Sequence, residues 1–369
     1  MNSQLGTFKK AEVLTFSALC VAFVISFFLE SLLEKCLLGE AMFASLVCCH
    51  IYQSTDRVMV EAGLKWLIVA AISMTMTISG VIYLGYVLRE FSEAQLLLNL
   101  PTVSSLFGVQ AAFVLILVGG LAKVSFLPNL YFLGNLFEGI RKPLLGIFVV
   151  AVPATFISLY GDFTSSVISL LQDQYLEFLE VLAIATVLFA SLISTTQSSS
   201  RRMLGNAIQV YVALLFYIWV RASESADSSV DMGVVIAAVS FFLGAINTVL
   251  ISDKSIAVVR QTSEYNWSLK GGVWCLSIAL PLLMSLLHPL LFSRHLIDMH
   301  GYLHWVVVLI AGLSLIRISL QGFLQSDSKL SLSTSAIAVF LIVLQAFVLL
   351  FPETTSDWFL LFSLSNFGG

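Results

Sequence analysis

The sequence predicts an all-α polytopic membrane protein, and three observations carry that prediction. Of its 369 residues, 59% are hydrophobic and only 11% charged, against about 25% charged in ordinary soluble domains. Its mean hydropathy is +0.97. Apolar runs long enough to cross about 30 Å of hydrocarbon as helices recur along nearly the whole chain, while the short alternating segments of an outer-membrane barrel are absent.

About eleven transmembrane helices follow in order. The first, 11–31, starts after Lys9 and Lys10 and ends in the Glu-rich LESLLEK segment; the second, 36–53, carries Glu40; the third, 62–88, carries Lys65. The fourth, 104–125, ends in GGLAKVSFLP, where two glycines, Lys123 and Pro128 interrupt an apolar run. The fifth spans 143–161, the sixth 176–196, the seventh 205–221 with Gln209 and Tyr211, and the eighth 232–252. The ninth, 271–292, is interrupted by Pro281, His288 and Pro289; the tenth, 302–324, carries Arg317; the eleventh spans 333–351. Loops are short, so residues 1–369 read as one membrane domain without linkers or low-complexity segments.

The lysines and arginines support this count. With the N-terminus on side A, that side holds Lys9, Lys10, Arg57, Arg141, Lys142, Arg201, Arg202, Lys254, Arg260, Lys270 and Lys329, whereas side B holds Lys35, Arg89, Arg221 and Arg294. The positive excess places the N-terminus in the cytoplasm or the mitochondrial matrix. No signal or transit peptide is read at the N-terminus.

The two interrupted helices, fourth and ninth, lie five helices apart. Five is odd, so a five-helix repeat inserts with inverted topology, and breaks at matching positions point to an ion or substrate path near mid-membrane. Residues 11–161 form the first repeat, 176–324 the second, and 333–351 an extra C-terminal helix. Isolated prolines that merely kink membrane helices are the plainer reading of the same residues.

A charge at the bilayer centre costs at least ~2.5 kcal/mol on insertion scales, so a retained one is a candidate for function. Lys123, Glu40 and Lys65 are the candidates in the first half, with Glu40 and Lys65 positioned either to pair or to anchor at the interface. His288, Arg317, Gln209 and Tyr211 extend the set into the second half, since a histidine exchanges protons near neutral pH; interhelical hydrogen bonding is the plainer role. The five cysteines, Cys20, Cys36, Cys48, Cys49 and Cys275, lie in or beside the spans without metal-site spacing, and His295, His300 and His304 lack it too. No metal, cofactor or nucleic-acid partner is expected, and no phosphate loop or nucleophile elbow is present.

Several of these stretches together resemble a known family. AKVSFLPNLYFLGNLFEG, residues 122–139, resembles the F-K-x-S-x-x-P hallmark of the proton-pumping antiporter-like subunits of respiratory complex I, with Lys123, Ser125, Pro128 and Gly139 at the family spacing and Glu138 at an acidic or amide position. EAGLKWLIVAA from Glu61 resembles the family's E-A-x-x-K-Y-F entry into the next helix. Glu40, after Leu38 and Gly39, sits where the family carries its membrane glutamate. FASLISTTQSSSRRMLGNAIQVYVALL from Phe189 and WCLSIALPLLMSLLHPLLF from Trp274 resemble two further family segments. Ser125 favours the subunit 2 branch, called subunit N in bacteria.

The resemblance implies a proton-translocating membrane-arm subunit, with other membrane-arm subunits and membrane lipids as partners and with redox chemistry carried by other chains. It implies that Lys123 exchanges a proton with a hydrated path, that Glu40 tunes it, that Lys65 competes for Glu40, and that His288 receives the proton in the second half. An eleven-helix chain corresponds to a fourteen-helix subunit shortened by three N-terminal helices, which implies a mitochondrial inner membrane, with a bacterial plasma membrane as the alternative. Two departures stand out. The family lysine after Gly139 falls on Pro153, and the ninth-helix lysine falls near His288 or Pro289. A subunit that fills its slot without transporting protons, and a stand-alone cation/proton antiporter, both remain open on these residues.

Overall fold

The computed structural model describes residues 10–26, 28–54, 56–123, 126–127, 132–141, 144–145, 148, 167–197, 199–223, 306–307, 309–318 and 340–343. The chain divides into two compact units, Gln4–Ala183 and Ile184–Gly369 with Met1–Ser3. Among the described residues there is no strand, and one isolated antiparallel bridge pairs Ser31 with Ser92.

The first unit contains α1 (Lys10–Ser26), α2 (Leu32–Gln53), α3 (Arg57–Leu88), α4 (Glu93–Val103), α5 (Phe107–Ala122) and α6 (Phe132–Gly139). Two helices begin earlier than hydropathy alone suggests. The α2 start after Ser31 takes in Glu34 and Lys35, and α3 starts after Asp56 and takes in Glu61. Such polar first turns lie where a membrane helix meets the interface, and an apolar-run criterion misses them. At ~1.5 Å per residue α3 is about 48 Å long, more than the hydrocarbon thickness, which leaves its first turns in the headgroup region. α4 was not expected at all. It has 11 residues, too few to span, and carries an internal Pro101.

α3 is the hub. It packs against α2, α5 and α6, while α1 packs against α2. Small residues permit its closest approach to α5: a Cβ at Gly119 would meet Thr77 Oγ1 at 2.4 Å, and one at Gly80 would meet the Ala112 carbonyl at 2.7 Å. Ser73 Oγ donates to the Gly119 carbonyl at 2.7 Å across the same contact. This is close packing by small residues plus an interhelical hydrogen bond, the means by which helices associate in lipid. Lys35 pairs with Glu93, and backbone bonds Leu32 N to Phe91 O and Glu93 N to Glu30 O tie α2 to the start of α4. Gln110 anchors the α5 start, donating to the Ser104 and Leu170 carbonyls and accepting from Gln172 N.

The helix α7 (Asp173–Thr196) crosses the unit boundary, and the second unit then contains α8 (Ser200–Ser223) and α9 (Leu309–Ile318). Ser194 and Ser314 hydroxyls meet at 2.9 Å, and Arg317 Nη2 donates to the Thr195 carbonyl at 2.7 Å. The eighth and ninth expected helices, 232–252 and 271–292, lie outside the described residues, as do Pro153, Pro281, His288 and Pro289.

Polarity is inverted relative to a soluble protein. Leu14, Val21, Val24, Leu64, Ile68, Phe178, Val181 and Leu192 face outward, while Glu12, Glu40, His50, Gln53, Ser73, Thr77, Gln110 and Lys123 are buried. An apolar exterior over a largely apolar core that keeps a few polar groups inside is what a lipid solvent permits. Among the described residues, Arg57–Leu88 and Asp173–Thr196 are long and apolar enough to cross a bilayer.

Candidate functional site

The break after α5 is what places Lys123. α5 ends at Ala122, and Lys123 is its capping residue, its backbone N–H shared between the Gly120 and Leu121 carbonyls; Phe126 N returns to the Leu121 carbonyl at 3.3 Å. Phe126 and Leu127 are not helical, and the next described helix begins at Phe132. An ammonium at a helix C-terminus also faces the negative end of the helix dipole.

From that position Lys123 Nζ donates to Glu40 Oε1 at 2.5 Å, linking α5 to the middle of α2. Glu40 is 5% exposed and Lys123 8%. Phe43, one turn after Glu40 on α2, places its ring 5.6 Å from the ammonium, close enough for a cation–π contact. The remaining sequence candidates are placed differently. Lys65 pairs with Glu61 at 2.7 Å, one turn away on the outer face of α3, with 42% and 58% of the two side chains exposed. The Glu40–Lys65 pairing entertained from sequence is therefore not the one observed. Adjacent helix positions lie ~100° apart, so when Trp66 points into the bundle Lys65 is turned away from it. Gln209 and Tyr211 are buried on α8. His288 lies outside the described residues.

Two groups that sequence reading passed over complete the site. On the side-A flank of the ion pair lies an aromatic cluster: Phe43 and Trp66 at 5.7 Å, Trp66 and Phe148 at 5.3 Å, Phe137 and Phe148 at 6.5 Å, and His50 against Trp66 at 5.9 Å. Beyond it, where α1 starts and α2 ends, Arg141 Nη1 donates to Glu12 Oε1 at 2.7 Å and also to Gln53 Oε1. Glu12 is fully buried. An acidic residue in the first turn of the first apolar helix was the available signal, but its partner is 129 residues away and spacing cannot supply it. Among the described residues no group of His, Cys, Asp and Glu is arranged to hold a metal ion.

No family model matches the chain. A stretch of 216 residues is 26% identical to NADH-quinone oxidoreductase subunit N 1 of Opitutus terrae, covering 56% of this chain and 41% of that protein. A stretch of 172 residues is 26% identical to the chloroplastic NAD(P)H-quinone oxidoreductase subunit 2 of Zygnema circumcarinatum, covering 44% and 35%. The chain is similar to subunit N of NADH-quinone oxidoreductase.

The matched stretches span less than half the length of these two relatives. The fold extends further than the sequence identity. Chains of the archaeal membrane-bound sulfane sulfur reductase complex share it at a TM-score of 0.70 and 16% identity, over 97% of this chain and 76% of theirs. Respiratory complex I of Thermus thermophilus gives 0.67 at 15%, over 93% and 78%, and the Mrp complex of Dietzia sp. DQ12-45-1b gives 0.64 at 15%, over 92% and 78%. The fold is thus that of subunits of multi-chain respiratory and related membrane complexes, and the chain is membrane-embedded.

Proposed function

We propose that this chain is a proton-translocating, antiporter-like membrane-arm subunit of subunit 2 type in a respiratory complex I, and so a subunit of a proton-translocating NADH:ubiquinone reductase without redox chemistry of its own. The observation that carries this reading is the buried Glu40–Lys123 pair at a helix break. An apolar surrounding favours the neutral amine and an adjacent carboxylate favours the ammonium. Drawing Glu40 away from Lys123 releases a proton from Nζ to a neighbouring hydrogen-bonded path, and its return reloads the amine. Lys65 and His288 are proposed as further proton-transfer residues, Lys65 by leaving Glu61 and turning inward to compete for Glu40, and His288 by receiving the proton in the second half. The reading includes the inverted repeats 11–161 and 176–324, the extra helix 333–351, neighbouring membrane-arm subunits and lipids as partners, and the mitochondrial inner membrane, or alternatively a bacterial plasma membrane, as location.

The likeness of fold to a chain of the Mrp complex favours one second reading, a cation/proton antiporter module using the same pair. Proton uptake into sealed vesicles, measured with a pH-sensitive dye and driven by NADH oxidation, separates the two. Lys123→Leu should abolish NADH-driven acidification with the assembly intact. Normal acidification in that variant sinks the proposal, and Na⁺-dependent proton exchange without NADH supports the second reading.

A further inference from the structure

His50 and Trp66 carry complementary unmet hydrogen-bonding demands in the same place. His50 is fully buried on α2, and its Nε2 lies 2.9 Å from the Met59 carbonyl of α3. A carbonyl only accepts, so Nε2 carries the hydrogen and, in the neutral ring, Nδ1 is a bare acceptor. Gly63 makes that docking possible: a Cβ there would stand 3.1 Å from His50 Cδ2 and 3.0 Å from Ile51 Cγ1. Nδ1 is buried and has no hydrogen-bond partner among the described residues. Trp66, whose ring lies 5.9 Å from that of His50 at a 44° tilt, is also fully buried, and its Nε1–H, which can only donate, likewise has no partner among the described residues.

An orphaned buried donor or acceptor is costly, and buried polar groups that no protein atom satisfies are typically met by ordered water. We infer that one internal water bridges the two rings, accepting from Trp66 Nε1–H and donating to His50 Nδ1. Those two bonds use one lone pair and one hydrogen of the water. The remaining lone pair and hydrogen are free to bond further water, so the site is an oriented link in a hydrogen-bonded chain rather than a closed structural plug. Its place fits that role. On one side Trp66 meets Phe43, whose ring faces the Lys123 ammonium; on the other, Gln53, one turn beyond His50, holds Arg141 and through it the buried Glu12. The water site therefore lies between the Arg141–Glu12–Gln53 cluster and the Glu40–Lys123 pair.

The transfer role rests on the proton-translocation reading; the water itself does not. The test is a high-resolution density map of the full chain with whatever subunits co-purify, for wild type, Trp66→Phe and His50→Leu, alongside vesicle acidification by the same proteins and by Lys123→Leu. The expected map shows one peak within hydrogen-bond distance of both His50 Nδ1 and Trp66 Nε1, absent in the two ring variants. Acidification should fall about tenfold in each, with protein abundance unchanged. No wild-type peak, or a protein group bonded to His50 Nδ1, overturns the site. A peak accompanied by wild-type acidification in both ring variants overturns the transfer role. If Lys123→Leu also acidifies normally, the proton reading itself has failed, and the peak still decides whether the water is there.

Discussion

Replacing Lys123 with leucine removes one member of a buried ion pair and leaves Glu40 uncompensated, and the structure permits an estimate of the consequence. Only 11% of the Lys123 side chain and 4% of the Glu40 side chain are exposed. Removing one partner of such a pair costs about 3–5 kcal/mol. For a chain of 369 residues that loss should lower the thermal midpoint of Lys123→Leu and of Glu40→Leu in detergent by roughly 5 °C each. The double variant Glu40→Leu/Lys123→Leu leaves no buried charge and should return to within about 1 kcal/mol of wild type. Thermal unfolding of the four proteins, monitored by loss of the monodisperse peak on size exclusion, completes the cycle. A double variant as destabilised as the two singles added together would refute the argument that these groups compensate one another.

Three further outcomes follow from the same structure. Lys65→Ala removes an exposed pair one helical turn long and should change stability by less than about 0.5 kcal/mol, readable in the same thermal assay. Gly139→Ala forces a Cβ to 2.5 Å from Ala62 Cβ and 3.0 Å from the Val58 carbonyl, backbone that cannot swing aside, and should cost about 1–3 kcal/mol and reduce the yield of folded protein. Arg141→Ala removes one ion-pair partner of the fully buried Glu12 and should destabilise by about 1–3 kcal/mol, while Glu12→Gln/Arg141→Gln should recover most of the loss; a double variant no better than the single contradicts the pairing.

Much of the helical layout is legible in the sequence because lipid imposes a simple rule: a helix must be apolar for long enough to cross. The positions of α1, α2, α3, α5, α7 and α8 follow from it within several residues at each end. Helix beginnings such as Leu32 and Arg57 are displaced because their first turns are polar, and α4 is missed because 11 residues with an internal proline satisfy no spanning criterion. The interruption after Gly119 and Gly120 is likewise readable, since two glycines, a lysine and a nearby proline in an apolar run mark a place where helix does not continue.

The choice of partners is not readable. Glu40 is 25 residues from Lys65 and 83 from Lys123, and nothing in either spacing says which lysine it meets. Glu12 and Arg141, and His50 and Trp66, are pairs of the same kind. The sequence by itself determined what the solvent demands: a membrane chain of helices, an interrupted fourth helix, and a small set of charges too costly to retain without a purpose. Tertiary structure alone decided which of those charges compensate each other, because that depends on the rotation of each helix about its own axis. That rotation is set by contacts such as Gly80 on Ala112 and Gly119 on Thr77, where the absence of a side chain lets two helices approach closely and fixes which faces turn inward.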